Sequence, residues 1–135
     1  MLKRILVCAS VFVLALAITG TVHADPKTTT VRLTQGNDVY YAPHGGHYLI
    51  RALAGDDVVH AGTGPDIVRG GPGNDRLWTG KGGPGDQVFG GPGNDRIHNW
   101  GSGESPGLLV GGPGHDVCVG DPHDTFRGCE VIKFR

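Results

Sequence analysis

A nine-residue period is the sequence feature that most constrains how this chain can fold. Asp57, Asp66 and Asp75 are nine residues apart, and Asp86 and Asp95 repeat the interval after a gap of eleven. Two positions after each of these aspartates stands an apolar residue, in the order Val59, Val68, Leu77, Val88 and Ile97. A disordered glycine-rich segment would not keep such a period, so the pattern predicts a repeat fold.

The segments between the apolar residues have the composition of tight turns. GGPGNDRLW at 70–78 returns as GGPGNDRIH at 90–98 and as GGPGHDVCV at 111–119. Glycine supplies the positive φ values that such turns need, and proline fixes φ between them. Each unit therefore predicts a six-residue turn and a short strand with one inward side chain. Because one unit cannot bury that side chain alone, we expect an all-β parallel β-roll or β-solenoid of about five 18-residue coils.

The three segments resemble the nonapeptide of the RTX, or haemolysin-type, calcium-binding repeats, and weaker copies extend the resemblance over roughly residues 33 to 127. The resemblance implies a parallel β-roll with Ca²⁺ bound between its turns. Carried over to this sequence, it implies a set of metal-binding aspartates and glycines: Asp57, Gly62, Gly64, Asp66, Gly71, Gly73, Asp75, Asp86, Gly91, Gly93, Asp95, Gly112, Gly114 and Asp116.

Units that are two apart in the chain should share one edge of the roll, about 4.8 Å from each other. The first edge then carries Asp38, Asp57, Asp75, Asp95 and Asp116, and the second edge carries Tyr48, Asp66, Asp86, Pro106 and Asp124. The spacing suits one Ca²⁺ between consecutive turns, since the ion takes about six to eight oxygen ligands. All three complete glycine-rich turns fall on the first edge, which predicts roughly two to five ions, most of them on that side.

Three departures from the repeat make some of these sites doubtful. The turn before Asp57 is ALAGDD and lacks the leading glycines, and the GGPGD turn before Asp86 is one residue short, so that Gln87 is a second candidate for its place. From Asp95 to Asp116 the chain runs 21 residues. The alternative is a metal-free solenoid in which aspartates only stabilise turns. Neighbouring bare carboxylates would then repel each other by about 1 kcal/mol per pair, which favours the calcium interpretation.

The N-terminal residues have the pattern of a secretory signal peptide. Lys3 and Arg4 precede the apolar run 5–18, and Ala24 offers a small residue for cleavage. We therefore predict a signal peptide at 1–24, an N-terminal linker at 25–32 and the β-roll at 33–135. The mature chain is expected to be secreted, without a membrane span. Its 10 basic and 13 acidic side chains argue against a nucleic-acid partner.

Cys118 and Cys129 are the only cysteines after the signal peptide. An even pair in an exported protein predicts one disulfide. Cys118 occupies the inward position two residues after Asp116, and Cys129 precedes the tail at 130–134. The disulfide is expected to fasten this tail over the end of the core, which a solenoid must cap.

Two other kinds of site have weaker support. Ser105 lies in a G-x-S-x-G pattern at 103–107, but the repeat context lacks the strand, turn and helix that expose a nucleophilic serine, so no enzymatic activity is expected. Two histidine pairs lack the further protein ligand that zinc requires: His44 with His47, and His115 with His123.

Two functions remain open. The first is a secreted calcium-binding protein whose turns coordinate Ca²⁺ and whose folding depends on it. The alternative is an adhesion or cell-envelope interaction module, with a carbohydrate as a possible partner, that presents Trp78, Trp100 and the loop at 99–109 on a calcium-stabilised roll.

Overall fold

A computed structural model describes residues 28–81, 85–101 and 105–135, so that the predicted signal peptide at 1–24 lies outside the described residues. The described chain forms twelve short strands joined by turns: β1 (Thr28–Arg32), β2 (Val39–Tyr41), β3 (His47–Arg51), β4 (Val58–His60), β5 (Ile67–Arg69), β6 (Arg76–Trp78), β7 (Gln87–Phe89), β8 (Arg96–His98), β9 (Leu108–Val110), β10 (Val117–Gly120), β11 (Thr125–Arg127) and β12 (Val131–Phe134). In these three segments there is no helix long and apolar enough to cross a membrane.

The strands wind into two parallel sheets of six strands each. The first sheet contains the odd-numbered strands in the order β1-β3-β5-β7-β9-β11, and the second contains the even-numbered strands in the order β12-β10-β8-β6-β4-β2. Every strand thus pairs with the strand two positions along the chain, and consecutive strands alternate between the sheets. This arrangement confirms the predicted all-β parallel β-roll of about five coils.

One inward side chain in each three-residue strand from β4 to β9 builds most of the core. The five apolar residues of the nine-residue period, from Val59 to Ile97, are at most 1% exposed, and Leu109 and Cys118 continue the same column. Their neighbours in each strand point outward, because side chains alternate along a strand. The core is therefore narrow, and contacts between turns must contribute much of what holds successive coils together.

The extra residues of the longer coils all lie on the second edge. The connections after β6 and β8 span residues 79–86 and 99–107, whereas the first-edge turns between β3 and β10 keep six residues each. First-edge aspartates consequently stay in register although their separations are 18 to 21 residues and not a uniform 18. The long interval before Asp116 therefore does not disturb the first edge.

The N-terminal boundary of the roll lies earlier than predicted. Residues 28–32, assigned to the linker, form β1 and pair with β3. Val31 and Leu33 pack against the core cluster. The correction has a simple cause: an additional strand covers the first coil, whose side chains would otherwise face solvent.

The C-terminal tail is held by the predicted disulfide but lies elsewhere than expected. Cys118 and Cys129 are joined, and β12 follows at once. β12 pairs with β10 and becomes the last strand of the second sheet, with Ile132 44% and Phe134 63% exposed. The tail therefore extends a sheet and does not fold across the end of the core, because the open edge of β10 offers it backbone partners.

Candidate metal centre

A ladder of buried aspartates runs along the first edge. The backbone N–H of Asp38 donates to Oδ1 of Asp57 at 2.8 Å, and that of Asp57 to Oδ1 of Asp75 at 2.9 Å. The N–H of Asp75 donates to Oδ1 of Asp95 at 2.8 Å. The N–H of Asp95 does the same to Oδ1 of Asp116 at 2.8 Å. Each carboxylate therefore ties its coil to the preceding one and fixes their register.

The other oxygen of each carboxylate is buried and has no hydrogen-bond partner among the described residues. This is so for Oδ2 of Asp57, Asp66, Asp75, Asp86, Asp95 and Asp116. Native proteins rarely leave such atoms unsatisfied, and an uncompensated buried charge is costly. A row of negatively charged oxygens without donors is the environment that a bound cation would complete.

Carbonyl oxygens approach the same points as the unpartnered carboxylate oxygens. A Cβ at Gly70 would collide with Oδ2 of Asp75 and with the carbonyl oxygen of Gly90 on the next coil. A Cβ at Gly90 would meet Oδ2 of Asp95 and the carbonyl oxygen of Gly111 in the same way. Carboxylate and carbonyl oxygens from consecutive coils thus converge, which is the all-oxygen donor set that Ca²⁺ prefers.

The glycines assigned to metal binding all have left-handed backbone conformations. Their φ values lie between +84° and +150° at Gly62, Gly64, Gly71, Gly73, Gly91, Gly93, Gly112 and Gly114. Their stacking is also tight, because a Cβ at Gly93 would collide with the carbonyl oxygen of Gly73. These positions therefore require glycine both for φ and for the close approach of neighbouring turns.

Leu53 adopts a backbone conformation that is normally reserved for glycine, because it lies in a turn stacked against a glycine-rich one. It occupies the position that Gly71 and Gly91 hold in later turns, and its φ is +87°. Within the described segments it is the single non-glycine residue with positive φ. Its carbonyl oxygen lies where a Cβ of Gly71 would be. The turn before Asp57 thus adopts the geometry of the glycine-rich turns although it lacks their leading glycines, and Leu53 is strained as a result.

Burial raises the pKa of the ladder carboxyl groups. The pKa of Asp66 and Asp75 rises to about 7, and that of Asp57 and Asp95 to about 6, with loss of solvation as the largest cause in each case. Neighbouring carboxylates raise these pKa values further, while backbone N–H donors lower them. Groups with such pKa values hold a proton or a cation in preference to a bare charge.

A second ladder, on the exposed side of the first, was missed by the sequence analysis. The N–H of Asn74 donates to Oδ1 of Asp56 at 2.7 Å, and that of Asn94 to Oδ1 of Asn74 at 2.9 Å. The N–H of His115 donates to Oδ1 of Asn94 at 2.9 Å. The sequence does contain a pattern that could have predicted this ladder. The residue directly before the ladder aspartate is Asn or Asp in four first-edge turns, at positions 37, 56, 74 and 94.

The second edge contains one step of the same design. The N–H of Tyr48 donates to Oδ1 of Asp66 at 2.9 Å, and that of Asp66 to Oδ1 of Asp86 at 2.9 Å. Asp86 is buried, whereas Gln87 begins β7 with an exposed side chain. Asp86 therefore holds the ladder position despite the shortened turn, and Asp66 and Asp86 face each other as predicted.

Beyond Asp86 the second edge is built from amides. The side-chain amide of Asn99 donates to both carboxylate oxygens of Asp124 at 3.0 Å, and the hydroxyl of Thr79 donates to Oδ1 of Asn99 at 2.6 Å. The N–H of Gly107 also donates to Asp124. Because Asp124 is satisfied by N–H donors, this part of the edge needs no metal ion.

The weaker candidate sites gain no partners. Within the described parts of the chain, no group of three or more His, Cys, Asp and Glu side chains is placed to hold a metal ion. Neither histidine pair therefore gains a third side-chain ligand for zinc among these residues. The described first edge forms no such side-chain group either, because many of its oxygen atoms are backbone carbonyls. Ser105 is followed by β9 and not by a helix.

A scan of family models matches the RTX calcium-binding nonapeptide repeat in four copies, over residues 52–83 and 85–99. The matched residues include the turns before Asp57, Asp66, Asp75, Asp86 and Asp95. Searches of curated proteins and of solved structures return no match.

Proposed function

We propose that this chain, whose repeat region belongs to the RTX calcium-binding nonapeptide repeats, is an exported protein that folds around calcium ions. The observation that carries the proposal is the row of buried Oδ2 atoms that have no hydrogen-bond partner among the described residues. Those of Asp75, Asp95 and Asp116 also lie beside a carbonyl oxygen of the next coil. The first edge supplies the steps from Asp57 to Asp116, and the second edge supplies the step between Asp66 and Asp86.

The magnitude of calcium binding is sufficient to decide whether the roll folds. Extracellular calcium modules bind at about 10⁻⁴–10⁻³ M, so that millimolar calcium stabilises by at most roughly 1.4 kcal/mol per site, or about 5 kcal/mol over four sites. A small domain has a total stability of about 5–15 kcal/mol. With so narrow a core, the chain should be largely unfolded where calcium is scarce and should fold after export.

Calorimetric titration with calcium, combined with far-ultraviolet circular dichroism on the same samples, tests both parts of the proposal. We expect several ions per chain and a transition from coil to β structure. Magnesium at the same concentration is the control, because its strict octahedral geometry suits this carbonyl-rich site poorly. An unchanged β spectrum in excess chelator would reject calcium-dependent folding, and absence of heat would reject calcium binding itself.

A second candidate function, the interaction module, is favoured by the outer face of the second sheet. Tyr41, His60 and Trp78 stack on successive strands with ring centroids 4.5 Å apart. The stack stops there, because His98, the register partner of Trp78, stacks on Trp100 at 4.4 Å. The face of Trp78 that is turned toward β8 therefore has no stacking partner there.

A cavity of about 300 Å³ lies at this interruption. Its lining includes Trp78, Arg96, His98, Val119 and Lys133, and no carboxylate. An aromatic ring, an apolar floor and two cations suit a sugar ring that carries a carboxylate. The strands as a whole bear Arg and Lys but neither Asp nor Glu, whereas the turns hold the acidic residues. The sheet face therefore fits an acidic polysaccharide of the cell envelope.

Binding of a uronic-acid polysaccharide to the calcium-loaded protein tests this second function. Arg96→Gln should weaken binding by about tenfold, because it removes a charge from the cavity. Arg127→Gln is the matched control, since Arg127 is exposed on the opposite sheet in β11. Equal binding by both variants, or none by the wild type, would reject the cavity as a carbohydrate site.

A further inference from the structure

The carboxylate ladder of the first edge does not end at Asp116. The backbone N–H of Asp116 donates to Oε2 of Glu130 at 2.7 Å. The same kind of bond joins Asp95 to Asp116 one coil earlier. Glu130 therefore takes the place of the next aspartate, although its turn contains only residues 128–130 and lies outside the matched repeats.

The carbonyl oxygen of this step is also reproduced. A Cβ at Gly111 would collide with Oδ2 of Asp116 and with the carbonyl oxygen of Gly128. At the preceding step the corresponding atoms belong to Asp95 and Gly111. The N–H of Gly112 donates to the carbonyl of Gly128 at 3.3 Å, as glycine turns do between earlier coils. Gly128 is thus the terminal equivalent of a leading turn glycine.

The side chain of Asp116 indicates that this step binds a ligand. Its side chain is completely buried, and its Oδ2 has no hydrogen-bond partner within the described chain. That oxygen is the atom that lies beside Gly111 and the carbonyl of Gly128. Glu130, whose Oε2 accepts from the backbone N–H of Asp116, brings a second carboxylate to the same step. Two carboxylates and a carbonyl oxygen therefore belong to this one step.

The disulfide holds this arrangement together. Cys118 lies two residues after Asp116, and Cys129 directly precedes Glu130. The covalent bond and the hydrogen bond from Asp116 to Glu130 consequently close nearly the same loop. A three-residue turn lacks the stacked glycines that fix earlier turns, so the disulfide supplies the constraint that positions Glu130 and Gly128.

We propose that Oδ2 of Asp116, the carbonyl oxygen of Gly128 and the carboxylate of Glu130 form a terminal calcium site, positioned by the Cys118–Cys129 disulfide. The inference rests on the proposed calcium-binding function. It assigns an additional site that joins Asp116 of the last repeat to Gly128 and Glu130, which lie outside the repeat motif, and makes that site dependent on the oxidised state of the two cysteines.

Counting bound calcium per chain, by titration of metal-depleted protein, tests the site. Glu130→Gln keeps an oxygen acceptor for the N–H of Asp116 but removes the charge, so the variant should bind one ion fewer than the wild type with its other sites unchanged. Glu104→Gln makes the same chemical change between β8 and β9 and should leave the count unaltered. Equal counts and affinities for wild type and Glu130→Gln would overturn the proposal.

The role of the disulfide is tested by a variant that lacks both cysteines. Cys118→Val with Cys129→Ala retains an apolar inward side chain of the kind present in other coils. Its terminal site should weaken by about tenfold or more, because binding must then order the loop that the disulfide closes. An unchanged terminal affinity would show that the disulfide does not position the site.

Two further outcomes keep the inference distinct from the proposed function. If the wild type binds several ions and Glu130→Gln binds as many, only the terminal site is rejected; if the wild type binds none, the proposed function is rejected with it. Should Glu130→Gln lose its β spectrum in excess calcium, an anomalous map of wild-type crystals grown with calcium decides. A peak within about 2.3–2.6 Å of Glu130 and Gly128 oxygens supports the site, and no peak overturns it.

Discussion

The backbone N–H of Asp75 donates to Oδ1 of Asp95 on the next coil at 2.8 Å. This bond uses one oxygen of the carboxylate and leaves Oδ2 of Asp95 buried without a partner. A single side chain thus fixes the register of two coils and also presents charge toward the turn. The two roles reside on different oxygens, so a substitution can remove one and keep the other.

Asp95→Asn should change stability in opposite directions with and without calcium. The amide oxygen can still accept from Asp75, while the amide nitrogen can donate to the carbonyl of Gly111, which approaches the same point. Without calcium, where the wild type is expected to be largely unfolded, the variant should therefore show more β structure than the wild type by circular dichroism. In saturating calcium it should lose about 1–3 kcal/mol, the contribution of the one or two sites beside Asp95.

Asp56→Asn is the matched control for this experiment. Its Oδ1 accepts from Asn74 on the exposed ladder, and an amide oxygen can do the same. We expect a change in stability within about 0.5 kcal/mol in calcium, as for most surface substitutions, and an unaltered β signal without calcium. If Asp95→Asn lowered the β signal without calcium and also lowered the urea midpoint in calcium, the aspartate would act only as a hydrogen-bond acceptor.

In calcium-free protein, β structure should be favoured by mildly acidic pH. The folded pKa values of Asp66 and Asp75, about 7, lie above the value near 3.9 that an unfolded aspartate has. The folded state therefore binds protons more tightly, and the stability that these groups provide is complete below about pH 4 and is lost as the pH rises through 6 to 7. Burial lowers the pKa of His60 and His98, so protonation of these histidines at acidic pH opposes folding and moves the optimum above the pH at which the aspartates alone stabilise most.

Circular dichroism of resin-depleted protein between about pH 4.5 and 8 measures this dependence. We expect the β signal to fall toward pH 8 and to return when calcium is added. Calcium affinity should rise over the same range, because protons and calcium compete for the same carboxylates. A calcium-free β signal that is strongest at pH 8 would contradict the raised pKa values.

The nine-residue period predicted the core and the ladder because both repeat with it. Val59 and Leu77 are inward and Asp75 and Asp95 share an edge for the same reason: every coil places equivalent residues at equivalent positions. Glu130 was not predicted because its turn has three residues and no glycine-rich motif. Only the disulfide and the register of β12 place it at the end of the first-edge ladder.

The second edge shows a different limit. Asn99 and Asp124 are 25 residues apart, and the long connection from β8 to β9 breaks the period between them. The repeat specifies neither the length of that connection nor the hydrogen bonds that follow from it. The early start of the roll at β1 was also missed, since TTTVR contains no aspartate or glycine to mark a turn.

Gly93→Ala should disrupt the roll far more than Gly45→Ala. Both glycines have positive φ, +141° and +76° respectively, but a Cβ at Gly93 would collide with the backbone of Gly73, whereas a Cβ at Gly45 would have no atom within 4 Å. We expect about 1–2 kcal/mol for Gly45→Ala, the cost of the left-handed conformation alone. Gly93→Ala should exceed about 3 kcal/mol or prevent folding, because coils must separate. Urea unfolding in saturating calcium measures both, and similar costs would show that φ, not stacking, sets the requirement for glycine.

Leu53→Gly should stabilise the roll, which is unusual for the loss of a leucine side chain. Leu53 holds φ at +87° in a position where later turns have Gly71 and Gly91, and its side chain is not among the buried core residues. Relief of the left-handed strain should raise the free energy of unfolding by about 1–2 kcal/mol. The greater freedom of glycine in the unfolded chain lowers it by about 0.5–1 kcal/mol. A net gain of up to about 1.5 kcal/mol should appear as a higher urea midpoint in calcium. Leu53→Ala is the control, since it removes the same side chain but keeps the strain. If it stabilised as much as glycine, the half-buried leucine side chain and not its backbone would be the source of the effect.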